Sequence, residues 1–115
     1  MTRFIGFIPP IVGLEGEFNT FRIGLMLAKR LSVGEIIFLA DLKESIIIGS
    51  ASVEKIDFGR MDEMCVLHAA KNHTQKELRD GRSAERLFAL LQKIYGPHIA
   101  TCTKKTSVIY LQRRE

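Results

Sequence analysis

The apolar positions begin as a short run, Phe4-Ile5-Gly6-Phe7-Ile8, of the β-branched and aromatic kind that suits a buried strand, and Pro9-Pro10 ends its capacity to pair. Gly13 and Gly16 mark a loop. Beyond it Ile23, Leu27 and Leu31 recur at a four-residue interval, which with Ala28, Lys29 and Arg30 predicts two turns of helix over 23–31, stopped by Ser32-Val33-Gly34. Glu35 to Ala40 is too short and too β-branched for a helix and reads as a strand. A second strand is expected over 45–56, where Ile46 and Ile48 alternate and give way to Ala51 and Val53 across Gly49. Asp41-Leu42-Lys43-Glu44 is then a hairpin connection, and Gly49 marks a bulge or bend of the kind that lets small barrels close.

The period changes in the second half. Met61, Met64, Cys65 and His68 share one face of a helix from Arg60 to about Asn72. Thr74-Gln75-Lys76-Glu77 has the form of a capping box opening another short helix, and Ser83 can cap a third, whose Leu87, Leu90, Leu91 and Ile94 form an apolar stripe before Gly96-Pro97. Thr106 to Gln112 returns to a strand, which must pair back with the first ones across a helical insert. The expected architecture is α+β, in a single domain over 1–115 without repeats, linkers or low-complexity tracts.

Composition narrows the function classes. At 46% hydrophobic and 26% charged residues the chain has globular rather than disordered character. Seventeen Lys and Arg against 13 Asp and Glu give a formal charge of +4, which favours a polyanionic partner while also describing many ordinary proteins. Lys, Arg or Glu interrupts every apolar run before it reaches the roughly 18 residues a membrane helix needs, so no membrane association is expected. Met1-Thr2-Arg3 leads straight into the first strand without a leader, and Cys65 and Cys102 read as free thiols, an expectation of a soluble cytoplasmic protein.

The candidate chemistry centres on 19–35, where Thr20, Arg22, Lys29 and Arg30 precede the buried run Ile36 to Ala40. A guanidinium offers a planar fork of donors that matches phosphate or a base edge, so Arg22 leads as a binding residue; the alternative is an ion pair with Glu17 or Glu35. Thr20 either donates to the ligand or caps a helix before Ile23. Lys29 and Arg30 supply sequence-independent phosphate contacts or form a solvated helix end, and Tyr110, between Lys104-Lys105 and Arg113-Arg114, either stacks on a base or fills a core edge. His68 is either a general base in the cleft or a hydrogen-bonded core residue. Cys65-x-x-His68 with His73 is a poor zinc pattern, because His68 and His73 do not share a helical face and His98 and Cys102 are distant, so neither metal nor cofactor is expected. Gly13-x-x-Gly16 lacks the glycine spacing and lysine of a phosphate loop.

Three features in order, Thr20-Phe21-Arg22 through Lys29-Arg30-Leu31 to Val33-Gly34-Glu35, the strand end Ala51-Ser52-Val53-Glu54-Lys55-Ile56, and the helical His68-Ala69-Ala70-Lys71-Asn72-His73, together resemble the ASCH domain, a small barrel related to the PUA RNA-binding domain. The resemblance covers roughly 3–112 and implies a small PUA-like β-barrel with helices covering one opening, and RNA or a nucleotide in a basic cleft beside Thr20 and Arg22. Some members of the family hydrolyse the amide of acetylated cytidine with a lysine just before the threonine, the threonine itself, and a glutamate after the helical His-Ala pair. Here Thr20 is present, but Glu17 stands at the lysine position and Ala70 and Lys71 where the glutamate is expected, so that activity is not carried over. The leading expectation is an RNA- or nucleotide-binding module, with the ligand between the 20–30 segment and the His68 helix. Its competitors are a hydrolase of the same fold, ribonuclease or nucleoside amidohydrolase, using Thr20, Lys29 and His68, and a protein-interaction domain with unknown protein partners.

Overall fold

A computed structural model describes residues 3–114. The elements run β1 (Phe4–Phe7), β2 (Glu17–Ile23), α1 (Met26–Arg30), β3 (Ile36–Asp41), β4 (Ile46–Arg60), α2 (Met61–His68) continued by a 3-10 turn (Ala69–Lys71), α3 (Ser83–Tyr95) and β5 (Lys105–Arg114). All five strands form one sheet in the order β1-β3-β4-β5-β2, parallel between β1 and β3 and antiparallel elsewhere.

The 15-residue β4 organises the sheet, because its first half pairs with β3 and its second half, to Arg60, with β5. Two irregularities bend it. Leu39 faces Gly49 while Ala40 faces Ile47, leaving Ile48 as an extra residue, and the register shifts again between Val53 and Lys55. A bulge bends its strand and increases the local twist, and here the sheet curls into a half-barrel. Gly49 also admits the Arg113 guanidinium: a Cβ at this position would lie 2.4 Å from Arg113 Nη2, which donates to the Ile48 carbonyl at 2.8 Å.

The two faces of the sheet are both buried. Ile5, Phe7, Phe18, Ile37, Leu39, Val53, Ile109 and Leu111 fill the hollow of the half-barrel. On the opposite face Phe21, Val108 and Tyr110 pack against Met61, Met64 and Cys65 of α2 and Leu87 and Leu91 of α3. Alternate residues of β2 and β5 enter different cores, and each large apolar side chain so buried contributes about 1.5–3 kcal/mol.

Three local expectations are corrected. Ile23 ends β2, paired with Thr106, and Gly24 at φ +84° turns the chain, so the first helix starts at Met26 rather than at 23. No helix follows Thr74: Asn72 Oδ1 accepts from the Thr74 amide and hydroxyl, at 3.0 and 2.6 Å, and the Asn72 carbonyl accepts from Gln75 and Lys76, forming a turn instead. Ser83 is the first residue of α3 and makes no side-chain cap, although the stripe from Leu87 to Ile94 and the stop at Gly96 lie where the pattern puts them.

Candidate functional site

The edge strands β1 and β2 face each other across the open seam of the half-barrel, and a cavity of about 530 Å³ lies there. Gly6 and Phe7 of β1, Pro9, Leu42, Thr20 to Arg22 of β2, the 72–74 turn and the Leu90, Lys93 and Ile94 side of α3 line it. Arg22 is the central charge. Its Nε donates to Thr20 Oγ1 at 3.1 Å and its Cζ lies 4.9 Å from the Phe7 ring centroid, so a hydrogen bond and an aromatic face fix the guanidinium plane. Among the described residues its terminal nitrogens have no partner: Glu35 pairs with Arg3 at 3.0 Å and Glu17 with Lys71 at 3.8 Å. Among the described residues no fully buried side-chain polar atom lacks a partner, and Arg22 lines the cavity, so these terminal N–H groups open onto it. Burial lowers the Arg22 pKa from its ordinary value, yet a guanidinium keeps its proton at neutral pH. Among the described residues no Asp or Glu lines the cavity.

The floor of the cavity is held by a buried amide pair. Asn19 Nδ2 donates to the His68 carbonyl at 2.8 Å, Asn72 Nδ2 donates to the Asn19 carbonyl at 3.3 Å, and the His73 amide donates to the same carbonyl at 3.1 Å. This sets His73 edge-on to Phe7, with Nδ1 donating to the Val12 carbonyl at 3.0 Å. Burial pushes the His73 pKa down to about 4, so the ring beside Arg22 is neutral. Gly13, at φ +70°, lets the 13–14 loop close on this turn, since a Cβ there would meet the His73 carbonyl at 1.9 Å.

His68 and Tyr110 lie elsewhere. Register places Tyr110 opposite Asn19, one residue out of phase with Thr20, and both residues line a second cavity of about 460 Å³ with Glu17, Glu54, Lys55, Leu67 and Lys71. His68 Nε2 meets Asp57 Oδ2 at 2.6 Å, and Nδ1 meets the Tyr110 hydroxyl at 2.7 Å. Burial raises the Tyr110 pKa, so it stays a phenol; the Asp57 carboxylate can only accept, so Nε2–H donates to it, and Nδ1 pairs with the phenol hydroxyl. Burial works to raise the Asp57 carboxyl, but the hydrogen bonds from His68 and the Phe58 amide outweigh it and the pKa falls below its usual value. Both imidazole nitrogens are thereby occupied, and Tyr110, 8% exposed, is a core-edge residue with Lys55 Nζ 5.4 Å from its ring centroid.

The sequence candidates therefore divide. Thr20 and Arg22 share the seam cavity, His68 and Tyr110 share the second, and Lys29 and Arg30 line neither. The cavity that Thr20 and Arg22 line lies between β1, β2 and α3, and no residue of α2 lines it. Lys29 and Arg30 form the exposed last turn of α1, anchored beside β5 by the Ala28 amide on Ser107 Oγ at 3.3 Å. Phe7 and Lys93 also line the seam and carried no site signal in the sequence, while Asn72 and His73 carried one only through the helical His68 to His73 motif and a poor zinc pattern. In the fold His73 Nδ1 donates to the Val12 carbonyl and the ring packs edge-on to Phe7. Burial raises the Cys65 thiol to about 11, and it behaves as a core residue of α2.

No family model and no curated protein matches the chain. Two solved structures do. A protein of Enterococcus faecalis assigned to family model DUF984 superposes with TM-score 0.59 at 9% identity, over 90% of this chain and 64% of that one. A point variant of ZmASCH from Zymomonas mobilis superposes with TM-score 0.55 at 15% identity, over 95% of this chain and 67% of that one. This chain thus spans about two thirds of the length of either neighbour. The shared fold is the ASCH and PUA-like one, an α+β half-barrel with its helices packed against the sheet. Among the described residues no helix is long and apolar enough to cross a membrane.

Proposed function

We propose that the chain is a single-domain RNA- or nucleotide-binding module of the ASCH and PUA-like type, and that its ligand occupies the seam cavity with a phosphate on Arg22. The observation that carries this is a guanidinium fixed by Thr20 and Phe7, lacking any carboxylate partner among the described residues, with its terminal N–H pair facing a recess that no acid lines. A buried cation without an internal counter-ion is favoured when an anion arrives to supply one. Thr20 Oγ1 accepts from Arg22, which leaves its own proton free to donate to the same ligand. The hydrolase reading has less support, because Thr20 and His68 line different cavities and Lys29 lines neither. The protein-interaction reading draws on the exposed Phe4 and Phe38, neighbours in register on β1 and β3, but no complementary feature accompanies them.

Calorimetric titration of short single-stranded RNA and of nucleoside monophosphates into the wild type, Arg22→Lys and Arg22→Gln tests the reading. A bidentate charge-assisted contact is worth roughly 1.5–3 kcal/mol, so Arg22→Gln should weaken binding by about 10- to 100-fold, and Arg22→Lys, which keeps charge but not the fork, by less. Equal affinity in all three proteins, with unchanged circular dichroism, would remove Arg22 from the site.

A further inference from the structure

We infer that the seam cavity takes one nucleotide end-on, as a free mononucleotide or the terminal phosphate-bearing unit of an RNA, rather than a tract of RNA backbone. The inference rests on the phosphate-binding reading of Arg22 and goes beyond it in naming how much of the ligand is held. Three observations carry it.

The first is the count of charges. Among the described residues Arg22 is the one cation set into the cavity wall, Lys93 is the exposed rim residue of α3, and His73 is neutral. A polyanion tract is held by a row of cations, one for each phosphate neutralised. The pairs that could form such a row, Lys29-Arg30 and Lys104-Lys105, do not line the cavity. The second is the shape. The recess is bounded by β1 and Pro9-Pro10 on one side, by α3 on the other and by the 72–74 turn, and at about 530 Å³ it falls in the range of small-molecule sites. The third is the wall chemistry. Away from Arg22 and Thr20 most of the wall is apolar, with Phe7, Ile8, Leu42, Leu90, Ile94 and Tyr95, which suits the flat face of a base, and the one further cation on it is the exposed Lys93 at the rim, among the described residues. The Asn72 carboxamide is spent on Asn19 and Thr74, so it does not compete for that role.

The test compares a nucleoside, its 5′-monophosphate, inorganic phosphate, and hexaribonucleotides carrying a 5′-phosphate, a 3′-phosphate or neither, each titrated into the wild-type chain at several salt concentrations. End-on binding predicts that the monophosphate binds within about threefold of the better phosphorylated hexamer. It also predicts that the unphosphorylated hexamer binds at least tenfold more weakly, and that the logarithm of affinity falls with the logarithm of salt at a slope of about −1, the value for one or two phosphates. A hexamer that exceeds the monophosphate more than tenfold, or a slope steeper than about −3, overturns the inference while leaving phosphate capture by Arg22 in place. Inorganic phosphate binding as tightly as the monophosphate also overturns it, since the apolar wall would then contribute nothing. If neither hexamers nor monophosphates bind, both the inference and the reading beneath it fail.

Discussion

His73 by itself should make stability fall with acidity between about pH 6.5 and pH 4, by an amount set by how far burial in the seam lowers its pKa. In the folded chain this imidazole donates Nδ1–H to Val12, packs edge-on to Phe7 and Phe18, and has its pKa pushed down to about 4 by burial. An unfolded histidine takes up its proton near 6.5. Between these values the unfolded state holds more protons than the folded one, so stability drops as pH drops, and the loss is complete below about pH 4. At about 1.36 kcal/mol for each pH unit of difference, the penalty reaches about 2–3 kcal/mol once partial exposure of the half-buried ring is allowed for. His73→Asn places an amide nitrogen where Nδ1 stands and removes the titration. Urea unfolding of both proteins at pH 7.0, 5.5 and 4.5 should show the wild type losing about 2 kcal/mol more than His73→Asn across the series. Contributions from the other titrating groups are common to both chains and cancel. Parallel pH profiles would refute the claim that this ring is held neutral in the fold.

Two further perturbations address the polar framework. Tyr110→Phe deletes the hydroxyl that satisfies His68 Nδ1 and leaves a buried ring nitrogen unpaired, so it should cost about 1–3 kcal/mol and lower the thermal midpoint; an unchanged midpoint would mean that water reaches His68 freely. Gly13→Ala puts a Cβ 1.9 Å from the His73 carbonyl at φ +70°, whereas Gly16→Ala, at φ +62°, meets nothing within 4 Å. The second should cost only the roughly 1–2 kcal/mol of a left-handed backbone, while the first should exceed it by more than about 2 kcal/mol and also weaken ligand binding, because the displaced 72–74 turn is a cavity wall. Similar losses in the two variants, read by thermal melts, would place the 13–14 loop clear of that turn.

The sequence was most legible where a single periodicity governs a segment. Met61, Met64, Cys65 and His68 share a helical face and are all buried, and Gly49 marks the bulged stretch of β4. It was least legible in β2. Asn19 and Thr20 are polar yet almost fully buried, at 0% and 2%, because both faces of the strand are covered, so no alternation separates an inside from an outside. The four-residue spacing of Ile23, Leu27 and Leu31 then suggested a helix one turn too early, across a glycine turn that only tertiary pairing reveals. Thr74-x-x-Glu77 failed for a related reason: Asn72, held by Asn19 from 53 residues away, claims the Thr74 hydroxyl before a helix can use it. Within the site, Thr20 and Arg22 could be picked out because two residues along a strand return to the same face. Lys29 and Arg30 looked equally placed on paper, but the Gly24 turn carries them to α1 and away from the seam.

The seam itself follows from how the sheet ends. Edge strands expose unpaired backbone groups and are usually covered or paired. On β2 the covering is partial: the Asn72 bridge and the His73 amide engage the Asn19 edge, α3 lies alongside, and the stretch Thr20 to Arg22 is left facing the cavity. On β1 the opposite edge contributes Gly6 and Phe7 to the same space. Continued pairing of β1 with β2 would complete the barrel, but it would fill the recess and bring Phe7 and Arg22 into a ladder instead of a stacked pair. The half-closed sheet therefore costs some backbone pairing and retains, in exchange, a rigidly oriented guanidinium at the bottom of a recess with apolar walls. Under the proposed function, that space is kept for a ligand instead of a sixth strand. The 72–74 turn, remote in sequence from both edges, is held in this wall by the Asn72 side chain and the His73 amide, which donate to the Asn19 carbonyl, and by the Thr74 amide and hydroxyl, which donate to Asn72 Oδ1.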